Sequence, residues 1–458
     1  MYYLFKCIKH LPIEIVKINK KMIYYFLSNI LKKNIIFSKM RNFYILINNI
    51  IIFIQIKNSI QSHITFPFKK STKKKNIFPE NLLQNDLEIT LLIGTPPQKV
   101  NLNLRSKAYT FFITSSEVNL PYQTFNANKS TTLIKETKKP DEYLKQEYNK
   151  GYKIYETITI NNIQINNVSL ILATSLIYEQ PGALGLRLVE SYEFAEDLSF
   201  IYQIKQNVKI EKYSFFINYF DDNNGELIIG TYPHLYNNTF DERNFVFQKA
   251  GKNNNNVDWI IEFDFIKYNN ETIERIITKS LIQIEFGLIK APFKLKKYFN
   301  EKFFKNKCDE EFDYLRNISL FYCDKNFDIT NFKNLTFILK DINFKFDFSY
   351  HDLFIKNDSN FIFSIVFDNN TENSSTTWIL GKVFMKKYQF IFDMDRKIIG
   401  IYNGYSNSNG FNFYLFSLII LIIIIICLVY YMYFYLKKPR KIRANELEDD
   451  NFLYIPSN

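Results

Sequence analysis

A chain of 458 residues, 47% of them hydrophobic and 23% charged, is long enough for one large all-β domain or for two lobes of about 150 residues, each with its own core. Its net charge of +12 is misleading. Fifteen Lys and Arg against a single Glu fall before residue 76, five basic residues against four acidic follow residue 436, and the body between is slightly acidic. Basicity confined to the ends excludes a phosphate-binding face, so no nucleic-acid partner is expected. His10, His63, His234 and His351 are scattered, and no Cys-x-x-Cys or His-Glu-x-x-His spacing occurs. No metal and no other cofactor is therefore expected.

Residues 1–39 are apolar with interspersed Lys and form a leader of uncertain status. Met40-Arg41-Asn42 followed by an apolar run reads as a signal peptide over residues 40–62, with a signal anchor as the alternative. Residues 63–84 form a basic linker, and the folded body begins near residue 85. There Leu87 to Ile93 alternates as a strand does, Gly94-Thr95-Pro96-Pro97 makes a tight turn, and a second alternating stretch runs to Arg105. The unit is a β-hairpin. Tyr155 to Val168 also alternates and is broken by Asn161-Asn162, a pair that tolerates positive φ in a turn. The Gly225 to Gly230 spacing is not a phosphate loop, because Thr231-Tyr232 stands where Lys and Ser or Thr are required.

Only two of the four cysteines, Cys308 and Cys323, fall in the body. In an exported chain such a pair reads as a disulfide, with two free thiols as the alternative. Residues 413–436 are 24 uncharged residues, and about 1.5 Å per residue crosses a hydrocarbon core of about 30 Å. They predict a transmembrane helix. The basic start of residues 437–458 holds that tail in the cytoplasm, so the body is extracellular or in a secretory or endolysosomal lumen, as in a single-pass type I protein. The glycosylation sequons at Asn128, Asn167, Asn237, Asn270, Asn317, Asn334, Asn357, Asn369 and Asn373 all fall on that side.

Ile93-Gly94-Thr95-Pro96-Pro97-Gln98 and the strand after it resemble the opening hairpin of the pepsin-like aspartic proteases. Gly182-Ala183-Leu184-Gly185-Leu186 and Trp378-Ile379-Leu380-Gly381 resemble the apolar-apolar-Gly elements behind that family's two active-site loops, and Tyr388 to Asp393 continues the match. The resemblance covers roughly residues 85–403. It implies an all-β, bilobal fold with lobes at residues 85–248 and 249–405 related by a pseudo-twofold axis, and a cleft between them for a peptide or protein ligand. It also implies a flap tyrosine, placed at Tyr148, and a bridge between Cys308 and Cys323.

The resemblance further implies an Asp at the head of each loop. The first position holds Arg105, with Lys107 in place of the loop Gly. For the second, an ungapped alignment on Gly287-Leu288-Ile289-Lys290-Ala291-Pro292 places Gln283 there, while a gapped alternative uses Glu285. Peptide hydrolysis in this family needs two carboxylates that share one proton across a water. Arg105 cannot accept a proton at physiological pH. The expectation is a membrane-anchored pseudoprotease that keeps a binding role and has no catalytic pair. An active endopeptidase using a displaced carboxylate and a glycosylated structural surface protein are the alternatives. A guanidinium at the cleft floor also needs a counter-charge: Glu285 is the expected partner of Arg105, with the alternative that Arg105 turns out into solvent and Glu285 faces away.

Overall fold

The computed structural model describes residues 63–71, 80–136 and 148–402, apart from positions 162, 178, 189–197, 209, 211, 238, 254–255, 276, 306, 315, 358–359 and 370–376. The expected leader, signal peptide, transmembrane helix and cytoplasmic tail lie outside the described residues. Among the described residues no helix is long and apolar enough to cross a membrane.

The first half builds β1 (Ile64–Lys70), β2 (Leu87–Ile93), β3 (Gln98–Arg105), β4 (Phe112–Thr114), β5 (Ile134–Lys135), β6 (Tyr148–Ile160), β7 (Ile163–Leu176), β8 (Gly182–Gly185), β9 (Ser214–Tyr219), β10 (Asn224–Ile229) and β11 (Phe245–Lys249). The expected hairpin is β2–β3, paired from Glu88↔Asn103 to Ile93↔Gln98. Leu87, Ile89, Leu91 and Ile93 of β2 are all buried, which is the period-two pattern of a strand with one face on a core. The turn needs its glycine: Gly94 has φ +89°, and a Cβ there would meet Ser130 Oγ at 3.0 Å. The alternating stretch at Tyr155 becomes the β6–β7 hairpin, closed at Ile160↔Ile163, with Asn161 at φ 49°.

Two of the expected boundaries are corrected. Residues 63–84 are not simply a linker, because β1 lies inside the sheet, antiparallel to β10 from Ile64↔Ile229 to Lys69↔Asn224 and joined to β2 at Lys69↔Glu88. Ile64, Phe66 and Phe68 point into the core. Apolar alternation outweighs the lysines, which occupy the exposed phase and the end of the strand. Nor do the halves divide cleanly near residue 249. The last strands of the chain, Phe390–Asp393 and Ile398–Tyr402, join the first sheet between β9 and β11, since Phe392 pairs with Phe215 and Phe245 with Tyr402. Among the described residues the first sheet thus has thirteen strands and stitches the end of the second half onto the first.

A second sheet, of twelve strands among the described residues, belongs to the second half. Its centre is Ile260–Tyr268, Thr278–Ile282, Trp378–Leu380 and Ile289–Ala291. The core beneath it is aromatic: Phe337 meets Trp378 edge-on at 5.1 Å between centroids and Phe384 at 5.5 Å, the geometry that aromatic quadrupoles favour. Among the described residues the architecture is mostly β with two large sheets, consistent with the bilobal fold. Cys308 and Cys323 form a disulfide. They stand directly opposite each other in the hairpin of Cys308–Asp313 and Ile318–Asp324.

Candidate functional site

The two halves place equivalent loops against each other. In the first, β3 runs parallel to β8 with Leu104↔Leu184 and Arg105↔Gly185. In the second, Thr278–Ile282 runs parallel to Trp378–Leu380 with Leu281↔Ile379 and Ile282↔Leu380. Gln283 comes next, its amide donating to Leu380 O at 3.0 Å, level with Gly381. Arg105 and Gln283 therefore stand at matching ends of matching strands. Glu285 lies two residues beyond.

Both glycines of the apolar-apolar-Gly elements serve one steric purpose. A Cβ on Gly185 would come to 2.4 Å from Tyr109 C, and one on Gly381 to 2.2 Å from Leu288 O and 2.3 Å from Phe286 O. Real Cβ atoms do not sit that close, so each glycine lets a loop backbone lie directly on the strand behind it.

The loops interlock. Ser106 Oγ accepts from the Ile284 amide at 3.0 Å and donates to Glu285 Oε2 at 2.7 Å, while the Ser106 amide donates to the same oxygen at 2.9 Å. The Lys107 amide donates to Glu285 Oε1 at 3.3 Å. The Glu285 carboxylate thus fills the space over the first loop with three donors of that loop.

Arg105 and Glu285 do not form the expected ion pair. Arg105 Nη1 instead reaches Asp86 at 2.9 Å, with both side chains 19% exposed. The reason is the segment ahead of β2, where Glu80–Leu83 makes one helical turn. Its next residues lie along the second loop: Gly287 donates to Leu83 O at 2.8 Å, Asn85 donates to Glu285 O at 3.0 Å, and Asn85 Nδ2 donates to Ile284 O at 2.8 Å. That course carries Asp86 to Arg105, while Glu285 is already taken by neutral donors. Sequence reasoning passed over Asp86. The available signal was the demand of Arg105 for a carboxylate, which the residue just before its hairpin partner strand could meet.

Between the loops lies a cavity of about 500 Å³ whose wall includes Asp86, Asn103, Arg105, Gln283 and Glu285. The family description "eukaryotic aspartyl protease" matches residues 88–403. The chain belongs to this family. No curated protein matches it. The fold of this family implies a peptide-binding cleft in general.

Other expected residues distribute as follows. Tyr148 opens β6, its backbone opposite Leu176. Asn128, Asn167, Asn237, Asn270, Asn334 and Asn357 are exposed, whereas Asn317 and Asn369 are half-buried and Asn373 lies outside the described residues. The Asn369 amide is engaged, accepting from Lys296 Nζ at 3.2 Å and donating to Ser319 Oγ at 2.7 Å. Among the described residues no cluster of three or more His, Cys, Asp or Glu is arranged to hold a metal ion.

Behind the first loop, Asp258 is buried and pairs with Arg187 at 3.2 Å. Loss of water raises its pKa above the usual 3.8, against the pull of Arg187. Its neighbour Trp259 donates Nε1–H to Leu186 O at 2.7 Å, tying the start of the second half to the strand that backs the first loop.

Proposed function

We propose that this aspartyl protease family member is a pseudoprotease: it binds a peptide or protein segment in the interlobe cleft and does not hydrolyse it. The observation that carries this reading is the pair of matched strand ends. The positions that would present two facing aspartates hold Arg105 and Gln283, and the first is ion-paired to Asp86. A guanidinium cannot serve as a base, and an amide cannot share a proton with a carboxylate. The alternative of an active endopeptidase would have to use Glu285, whose oxygens already accept from Ser106 and Lys107. A carboxylate held so by the donors of the first loop is not one of two facing acids that share a proton across a water.

The same proposal includes a single-pass membrane protein. The ectodomain would face the outside or a lumen, carry glycans at the exposed sequons, and be held by residues 413–436 with residues 437–458 in the cytoplasm. A glycosylated structural surface protein remains the reading if the cleft binds nothing.

The test incubates the purified full-length chain with a mixed peptide pool across acid pH, with and without a transition-state mimic of aspartyl proteases. The expected result is retention of peptides with no new termini. Cleavage that the mimic abolishes would overturn it.

A further inference from the structure

We infer that the cleft is selective for a peptide segment carrying a basic side chain, Arg or Lys, seated beside Glu179 and Tyr122. This rests on the reading that the cleft binds peptide and adds the chemistry of the residue it prefers.

Two arginines and three carboxylates line the cavity, and their pairing decides its sign. Arg105 is satisfied by Asp86 at 2.9 Å and Arg316 by Asp313 at 2.7 Å. Both cations are thus matched within the protein. Glu285 is met by donors of the first loop and offset by the nearby Lys107 ammonium. Glu179 is exposed and, among the described residues, has no ion-pair partner. One uncompensated carboxylate therefore faces the cavity.

The surroundings point the same way. Burial, and then Asp86, Glu88 and Glu179, push the Tyr122 hydroxyl pKa up. Three carboxylates thus lie near one ring at the cavity wall, and the charge of one of them, Asp86, is offset by Arg105 while Glu179 is not. Such a corner attracts a cation, and a ring beside it can take the flat face of a guanidinium.

Independently, two amide oxygens of the wall have no partner among the described residues. Asn103 is 3% exposed and Gln283 is 7% exposed. The Oδ1 of the first and the Oε1 of the second are buried without a hydrogen bond. A buried polar atom left unpaired is costly, so these amides are poised to reorient toward a ligand. A guanidinium brings five donors and an ammonium three, enough for the Glu179 carboxylate and an amide oxygen. An anionic ligand would find no unmatched cation on this wall. The cavity volume of about 500 Å³ falls in the range of small-ligand sites.

The experiment uses the purified full-length chain and fluorescent pentapeptides, acetyl-Ala-Ala-X-Ala-Ala-amide, with X as Arg, Lys, citrulline, Leu or Glu, followed by anisotropy. Citrulline keeps the shape of Arg without its charge. The expected result is binding of the Arg peptide about tenfold tighter than the citrulline peptide, as for hydrogen bonds to a charged group. Glu179→Gln, a change at an exposed position, should remove most of that ratio. Equal binding of all five peptides, or preference for Leu or Glu, would overturn the charge selectivity, and an undiminished ratio in Glu179→Gln would overturn the seat beside Glu179; each leaves peptide binding standing. Absence of binding by every peptide would overturn both.

Discussion

Glu285 reaches from the second loop to Ser106 of the first, where one carboxylate oxygen accepts from both the amide and the hydroxyl at 2.9 and 2.7 Å. Ser106 returns the contact by accepting from the Ile284 amide at 3.0 Å. The lobes are fastened at the cleft floor by a closed set of hydrogen bonds, one of whose acceptors is charged. Hydrogen bonds to a charged group contribute about 1.5–3 kcal/mol, and an orphaned donor costs about 1–3 kcal/mol. Glu285→Ala is expected to lower unfolding stability by about 2–3 kcal/mol, measured by urea denaturation of the full-length chain. Ser106→Ala should cost less alone, and less again on top of Glu285→Ala, where the Ile284 amide is the one donor it newly orphans. Additive losses from the two changes would show that the latch is not a unit.

The Arg105–Asp86 pair makes a separate prediction. Both groups are largely out of water, so deleting one leaves the other charged and unmatched. Arg105→Asp sets two carboxylates together and should destabilise the chain by about 2–4 kcal/mol. Adding Asp86→Asn relieves the repulsion and should recover part of that loss. Neither variant should cleave peptide, since the second strand end still carries Gln283. Cleavage by Arg105→Asp alone, or no recovery in the double variant, would contradict this account.

Asp258 supplies a pH dependence. Its pKa is raised by loss of water, which favours the protonated form in the folded state. Between the unfolded value near 3.8 and the higher folded value, the native chain binds more protons than the unfolded one, so this group's contribution falls as pH rises through that window. Asp258→Asn lacks the titration. The stability difference between the parent chain and the variant should shift against the parent as pH climbs from below 3.8 through the raised value, read from denaturant midpoints. A difference that is flat, or that moves the other way, would show that the Arg187 pair outweighs the burial.

What could be read beforehand follows the range of the interactions. The β2–β3 hairpin and the turns at Gly94 and Asn161 are local: alternation and positive-φ residues declare them in a few positions. The two apolar-apolar-Gly elements are equally legible, because close backbone approach at Gly185 and Gly381 admits one residue type. The Cys308–Cys323 link needed only a pair in the body. The need of Arg105 for a carboxylate was legible, but which carboxylate meets it was not. Its choice depends on the course of residues 83–86 along a loop some two hundred residues away, which no local pattern encodes. The membership of Phe390–Asp393 and Ile398–Tyr402 in the first sheet was hidden for the same reason, since sheet neighbours far apart in sequence leave no periodic trace.

β1 carries the last prediction, since a stretch that composition marks as basic linker is part of the core. It lies between β10 and β2, with Ile64 2%, Phe66 4% and Phe68 2% exposed. Phe66 packs on Phe200 at 5.9 Å and Phe68 on Tyr219 at 5.6 Å between centroids. Removing the strand would unpair one edge of β10 and of β2 as well as uncover these rings. Phe66→Ala and Phe68→Ala are each expected to cost about 3–5 kcal/mol, the range for truncating a buried aromatic. By contrast Lys69→Ala, on the exposed phase, should stay within about 0.5 kcal/mol. A chain beginning at residue 80 should fail to give a cooperative unfolding transition, and β1 supplied as a separate peptide should restore it. If the shortened chain unfolds cooperatively with an unchanged midpoint, β1 is an accessory to the sheet and not a member of it.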